Sequence, residues 1–460
     1  MPSADSMRDR GSPRIRAWIG GGLVACAMVC LPQSGGAQPL ESALPLSDSS
    51  MACPPQNVAA SADPLVRSLI TEWYRLKQDW CKVLRWDDTW PRVQDLLVDV
   101  LIGPGVHPTA GIAVPGGGVA GGLALNVDWN ANVLADQRFV TSAEGRISQE
   151  GFWEVGAKLQ TLFAGYSERG KSPQFTLVGK HLDLPHLPFY GLGNSTSRHG
   201  RTFYGLRDTA VAASVDVPVP FGVTLSGELA GLGFEPEVST SFTGVNNESS
   251  APGLHARTTY VRPRASAMWT YPDRGVLYGL SSSAVVSYGF YETLTGGDFS
   301  FSRVEARWNV GLGLEPRFGT FRFASRVVVS APLAHNDVPF YLQPTLGGGD
   351  INDENALRGY SNYRFRAPNL VAYEISYERQ IFDPLGIRIF GQLGRVGLKT
   401  SDLGFSGLKS SVGASITFRL GGAAIAEISF GWSESEGLHV YGTGNSNNVG
   451  GLTAGLRGVF

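Results

Sequence analysis

The residues of this 460-residue chain that could do chemistry are few: seven histidines, four cysteines and scattered carboxylates and hydroxyls. No two histidines stand in a His-Glu-x-x-His or other metal-ligand spacing. No Gly-x-Ser-x-Gly nucleophile elbow is present either. His181 with Ser172 or Ser197 is a conceivable base and nucleophile, but the strands assigned below put neither serine beside His181. Gly116, Gly118 and Gly121 satisfy the spacing of a dinucleotide fingerprint without a following helix, so they read as a flexible strand start. The run Asp350, Asn352, Asp353, Glu354 is calcium-like, yet it lacks the required glycine, and Ser361 stands where a bidentate glutamate belongs. It reads as a solvated loop. No enzyme, cofactor or metal site is expected.

Composition points elsewhere. There are 59 glycines, nearly double the average usage of about 7%. Aromatics reach 10%, charged residues only 17%, and net charge is −2. A near-neutral chain without a basic block argues against nucleic acid as a partner. Its abundant aromatics argue against disorder. An all-β protein with many turns fits best.

Residues 1–37 read as a secretory signal peptide: Arg8, Arg10, Arg14 and Arg16, an apolar stretch over Ala17–Pro32, then Gly35, Gly36 and Ala37. Lipidation at Cys26 is the rival reading, weakened because the sequence after it stays apolar. Cys53 and Cys81 remain after cleavage; in an oxidising compartment the pair suggests one disulfide, with two free thiols as the alternative. No apolar run long enough for a transmembrane helix follows the signal, so membrane insertion would require a barrel.

Residues 38–107 form a Ser/Pro/Ala-rich tether and then two short helices. The first starts at Asp63-Pro64 and carries Leu65, Leu69, Trp73, Leu76 and Trp80 at helical spacing. The second begins near Thr89–Pro91 and ends at Gly103-Pro104-Gly105. Trp73, Trp80, Trp86 and Trp90 could dock on a membrane interface, plug a pore or pack the helices together; the last is favoured.

From residue 108 to 460 the period becomes two. In Arg303–Leu312 polar and apolar residues alternate strictly, and Val371, Tyr373, Ile375 and Tyr377 alternate with Glu374, Ser376, Glu378 and Gln380. A dry core cannot take so many mid-strand charges, whereas a wet lumen inside a lipid-facing wall can. Strands are expected over 108–114, 119–130, 134–144, 151–164, 172–184, 200–215, 221–233, 256–271, 275–290, 300–314, 319–332, 369–382, 385–397, 408–420, 423–434 and 449–460. Tight turns at Pro218–Gly222, Tyr271–Gly275, Glu315–Gly319, Asp383–Gly386 and Leu420–Gly422 alternate with long loops at 185–200, 235–255, 333–368 and 433–449. This is a 16-stranded antiparallel transmembrane β-barrel with a short helical N-terminal segment. Its last strand ends on Phe460, a terminal aromatic of the kind that outer-membrane barrels present to their assembly machinery.

The most specific segment is Leu346–Gly349, then Leu357-Arg358-Gly359-Tyr360 and Arg364-Phe365-Arg366. It resembles the bacterial surface antigen superfamily of outer-membrane barrels, the BamA/TamA family, whose R-G-F/Y loop folds back into a sixteen-stranded barrel. The resemblance implies that Arg358 pairs with acidic residues on neighbouring strands, that Gly359 permits the tight tip and that Tyr360 packs beside it. Glu374 and Glu378 face inward on the next strand, and Glu378 best matches the family's acidic position. Gln392 stands where the family carries a second acid. Pro188–Ser197 resembles the FYGLGN loop of shorter family members, and Pro115–Gly118 with Gly121 and Gly122 their Gly-rich barrel start. Unlike members that assemble or secrete proteins, the chain shows no POTRA module in residues 38–107.

The implied function is protein or lipid insertion or translocation at the bacterial outer membrane. The implied partners are outer-membrane lipids, lipopolysaccharide and, during biogenesis, the outer-membrane assembly machinery. A passive solute pore or structural barrel plugged by its N-terminal helices is the alternative.

Overall fold

The computed structural model describes residues 105–444 apart from stretches at 113, 133–135, 164–171, 240–241, 246–249, 272–278, 315–318, 335, 350–355, 383–384 and 421–422. The signal peptide, the tether and helices, the Cys53–Cys81 pair, the calcium-like run and Phe460 lie outside the described residues.

Along the chain run β1 (Gly105–Ile112), β2 (Val119–Asn132), β3 (Asp136–Ser148), β4 (Trp153–Phe163), β5 (Gln174–Phe189), β6 (Thr202–Val219), β7 (Val223–Val238), β8 (Thr258–Tyr271) and β9 (Gly279–Thr295). There follow β10 (Phe301–Gly313), β11 (Thr320–Pro332), β12 (Thr345–Leu346), β13 (Phe365–Arg366), β14 (Asn369–Phe382), β15 (Leu385–Gly397), β16 (Lys409–Leu420), β17 (Ala423–Ser433) and β18 (Gly437–Gly444). Sixteen of them form one antiparallel sheet in sequence order, and β12 and β13 pair separately. The long connections, β5–β6, β7–β8, β11–β14 and β15–β16, all fall on one rim. The short ones expected at 218–222, 271–275, 315–319, 383–386 and 420–422 fall on the other.

The alternation places side chains as a wet-lumen barrel requires. On β10, Arg303 and Glu305 are buried while Val304, Trp308 and Leu312 stand exposed. On β14, Ile375 is 62% exposed and the next residue, Ser376, 3%. Exposed apolar residues recur around the outer face from Leu123 to Val440, far beyond the patch a water-soluble monomer displays. The inner face carries ion pairs, among them Arg262–Glu228 and the Glu305 cluster with Arg307 (2.6 Å) and Arg326 (3.0 Å).

Two expectations need correction. The segment from 433 is not the start of a long loop running to 449, and the strand expected at 449–460 lies outside the described residues. The chain reverses within Glu434–Glu436, and β18 pairs at once with β17, from Ser433↔Gly437 to Ala426↔Gly444. Gly437 adopts φ 78°, and the Ser433 hydroxyl accepts a hydrogen bond from the Glu436 amide at 3.2 Å, so the polar composition serves a hairpin rather than a loop. Closure also differs. β1 and β18 approach one another, yet among the described residues no ladder joins them.

The long-loop end is filled from within. The β11–β14 connection turns back into the sheet, and Val338, Phe340, Leu342, Leu346, Leu357, Tyr360, Tyr363, Phe365 and Ala367 are all buried. Phe340 packs between Phe189 (5.2 Å) and Tyr204 (4.7 Å), and its amide donates to Pro252 O at 3.0 Å in the β7–β8 loop. The β5–β6 loop joins through Gly193, whose amide donates to Arg366 O at 2.7 Å.

Candidate functional site

The site is the tip of this inward loop, Leu357–Ser361, set against the inner faces of β14 to β18. Leu357 and Tyr363 bracket it in the left-handed region, at φ 57° and 58°. Such backbone costs bulky residues of order 1–3 kcal/mol and persists where the surroundings over-determine it. Burial of both side chains supplies that constraint here. Gly359 is not in the left-handed region; it is needed for space. A Cβ there would overlap the backbone of Trp432 and Ser433, and one on Gly431 would overlap Arg358 O. Two glycines thus let the tip lie directly on β17, where Ser433 Oγ donates to Gly359 O at 2.5 Å. Tyr441 Oη on β18 donates to Tyr360 O, and the Tyr360 ring packs 5.2 Å from Phe365.

Arg358 is buried and its guanidinium sits between two carboxylates, Glu374 Oε2 on β14 at 3.7 Å and Glu427 Oε1 on β17 at 3.9 Å. It also lies 4.7 Å above the Phe390 ring on β15, a cation–π contact. The same two carboxylates share Arg388, which hydrogen-bonds Glu374 and stands 3.6 Å from Glu427. The result is a compact square of two cations and two anions.

Glu374 therefore stands where the sequence places a partner. Glu378 does not: four residues further along β14, it pairs with the half-exposed Arg322 at 3.7 Å and faces Arg388 across the ladder. Glu427, the second carboxylate at Arg358, escaped sequence reasoning, although it alternates inward with Ser429 and Gly431 between the exposed Phe430 and Trp432.

Gln392 does more than replace an acid. Its Oε1 accepts from the Arg358 backbone N–H at 2.7 Å and from Ser411 Oγ at 3.1 Å, while its Nε2 donates to Glu374 Oε2 at 2.7 Å. A carboxylate at this position could accept but not donate, and would repel Glu374.

The other arginines of the motif carry the closest contacts. Arg364 donates to Thr196 O (2.5 Å) and Thr196 Oγ1 (2.6 Å) in the β5–β6 loop and pairs with Glu436. Arg366 donates to Phe340 O (2.6 Å) and Tyr204 Oη (3.1 Å), and Arg303 on β10 reaches Leu342 O (2.6 Å). Burial would raise the pKa of Glu436, but hydrogen bonds from the Ser361 amide, Arg364 and the Ser361 hydroxyl hold its carboxyl below the usual carboxylate range. Arginine forks suit this role, because they satisfy several oxygens at once in a buried setting.

His181 lies near neither candidate serine. Its Nδ1 is 2.7 Å from Thr209 Oγ1 on β6, on the outer wall. Gly116 and Gly118 adopt positive φ in the β1–β2 turn, and Gly121 and Gly122 lie in β2. Among the described residues no three His, Cys, Asp or Glu side chains gather as a metal site.

No protein-family model matches the chain, and no curated protein does. Solved structures do. BamA from Haemophilus ducreyi lacking POTRA domains 1–3 is similar at 10% identity and a TM-score of 0.49, over 74% of this chain and 69% of that one. CdiB from Escherichia coli is similar at 12% identity and a TM-score of 0.47, and CdiB from Acinetobacter baumannii at 9% and 0.43. The chain spans 62% and 58% of those two proteins.

Proposed function

We propose that this chain is an outer-membrane barrel of the BamA/TamA type, acting in protein or lipid insertion or translocation at the bacterial outer membrane. The observation that carries this reading is the Arg358–Tyr360 tip, seated on β17 through Gly359 and Gly431 with Arg358 between Glu374 and Glu427. A loop returned into the barrel and locked by an arginine is what the R-G-Y motif implies. The apolar outer wall and charged inner wall support a membrane-spanning sheet. Lipopolysaccharide and the outer-membrane assembly machinery enter as partners on the same reading.

The charged inner wall, with its Glu305 and Arg262 clusters, also suits a water-filled pore, which supports the second reading of a passive channel. The packed aromatic and arginine contacts at the long-loop end favour the first. Reconstitution separates them. The full chain in lipid vesicles should speed the folding of an added unfolded outer-membrane barrel while showing no steady conductance in planar bilayers. A steady open pore that is enlarged by deleting residues 63–102, with no effect on client folding, overturns the insertion reading in favour of the channel.

A further inference from the structure

The inner face of β8 to β11 carries more positive charge than its carboxylates answer. Arg262, Arg264, Arg303, Arg307, Arg322 and Arg326 all fall on that face by alternation, and Glu305 is the one inward acid there among the described residues. Carboxylates on the flanking strands answer two of the six. Glu228 on β7 pairs with Arg262, and Glu378 on β14 stands 3.7 Å from Arg322. Glu374 and Glu427 are matched in charge by Arg358 and Arg388. Arg303 turns toward the inward loop, donating to Leu342 O and Ser330 Oγ.

Arg264, Arg307 and Arg326 are left around Glu305. Arg307 and Arg326 donate to the same oxygen, Glu305 Oε1, at 2.6 and 3.0 Å. They are also direct cross-strand partners in the β10–β11 ladder, where like charges face to face destabilise a sheet. Arg264 makes no ion pair among the described residues. Its guanidinium donates to Ser287 Oγ at 3.0 Å, and Ser287 stands opposite Glu305 on β10. Three guanidiniums around one carboxylate leave two positive charges uncompensated. The face is open to water: Arg307 is partly exposed, and Asn309, the next inward residue toward the short-turn rim, is exposed.

We propose that the lumen binds one small phosphate-type dianion against Arg264, Arg307 and Arg326. The class follows from charge and geometry. A dianion cancels the two unanswered charges, and guanidinium forks match phosphate oxygens bidentately. A chloride ion would leave one charge unanswered and offers no pair of oxygens to a fork. Glu305 holds the Arg307 and Arg326 forks in place, while Arg264 has no carboxylate to give up when the anion arrives. The inference rests on the barrel reading above, which makes this face a wet lumen, and assumes neither insertion nor channel activity.

The test titrates the full folded chain in detergent micelles with inorganic phosphate, by calorimetry in mildly alkaline buffer at constant ionic strength. Wild type should show one saturable site, and chloride should show none. Arg264→Gln breaks no ion pair and should weaken binding about tenfold or more, the worth of one hydrogen bond to a charged group. Val285 lies inward on β9 directly opposite Arg307. Val285→Glu supplies the missing anion from the chain itself, so it should abolish the phosphate site and raise the urea midpoint measured without phosphate. No saturable phosphate heat in wild type, or equal affinity in wild type and both variants, overturns the site while leaving the barrel reading standing. A chain that never gives a heat-modifiable folded form overturns both.

Discussion

Replacing Arg358 with alanine removes one cation from the square it forms with Arg388, Glu374 and Glu427. Breaking a buried ion pair by deleting one partner costs about 3–5 kcal/mol, because the other charge is left uncompensated. Here the compensation is only halved. Arg388 still hydrogen-bonds Glu374 and stands 3.6 Å from Glu427, and Gln392 still donates to Glu374. The ionic loss therefore falls at the low end, and loss of the Phe390 contact adds about 0.5–2 kcal/mol. A total near 4 kcal/mol is expected, a little under a thousandfold in the folding equilibrium. Urea unfolding in lipid vesicles reads this directly, and heat-modifiability on gels reads it qualitatively. Adding Glu427→Gln should recover about half of the loss, since one carboxylate would then face one guanidinium. Glu378→Gln, whose ion pair is with half-exposed Arg322, should cost under about 1 kcal/mol. If Arg358→Ala unfolds within about 0.5 kcal/mol of wild type, or if the losses from Arg358→Ala and Glu427→Gln simply add, the square does not hold the loop.

Two further outcomes follow from the same contacts. Gln392→Glu should destabilise the barrel by about 1–3 kcal/mol in the same urea assay, because it deletes the only donor Gln392 offers Glu374 and sets two carboxylates side by side; an unchanged midpoint would refute the bridging role. Glu436, whose carboxyl titrates below the usual range in the folded loop, contributes stability that is fully present above about pH 4.3 and is lost as pH falls through its folded value. Limited proteolysis should therefore cut the Ser361–Arg364 segment faster in acid than at neutrality, and Glu436→Gln should make cutting at neutrality fast and insensitive to pH.

Much of this protein was legible in its residue order. The alternation of charge and apolar residues in β10 and β14 identifies which side is wet, because mid-strand ions exclude a dry core. The glycine, turn and loop signals locate most strands and the rim on which each long loop emerges, since turn chemistry acts over a few residues. The R-G-Y motif marks the loop and its arginine, and Glu374 follows from alternation once β14 is placed.

The rest depends on register and on contacts between distant segments. Arg358 pairs with Glu427 rather than Glu378 because the loop descends to a particular depth and leans on β17, some seventy residues later in the chain. Gly359 and Gly431 are needed by mutual approach, so neither carries a local signal that names the other. The Glu434–Glu436 reversal was hidden because Ser, Glu and Gly suit a loop as well as a hairpin, and the Glu436 anchor comes from Ser361 and Arg364 in another loop. Local physics chose the strands and their faces; the lock exists only once the strands stand side by side.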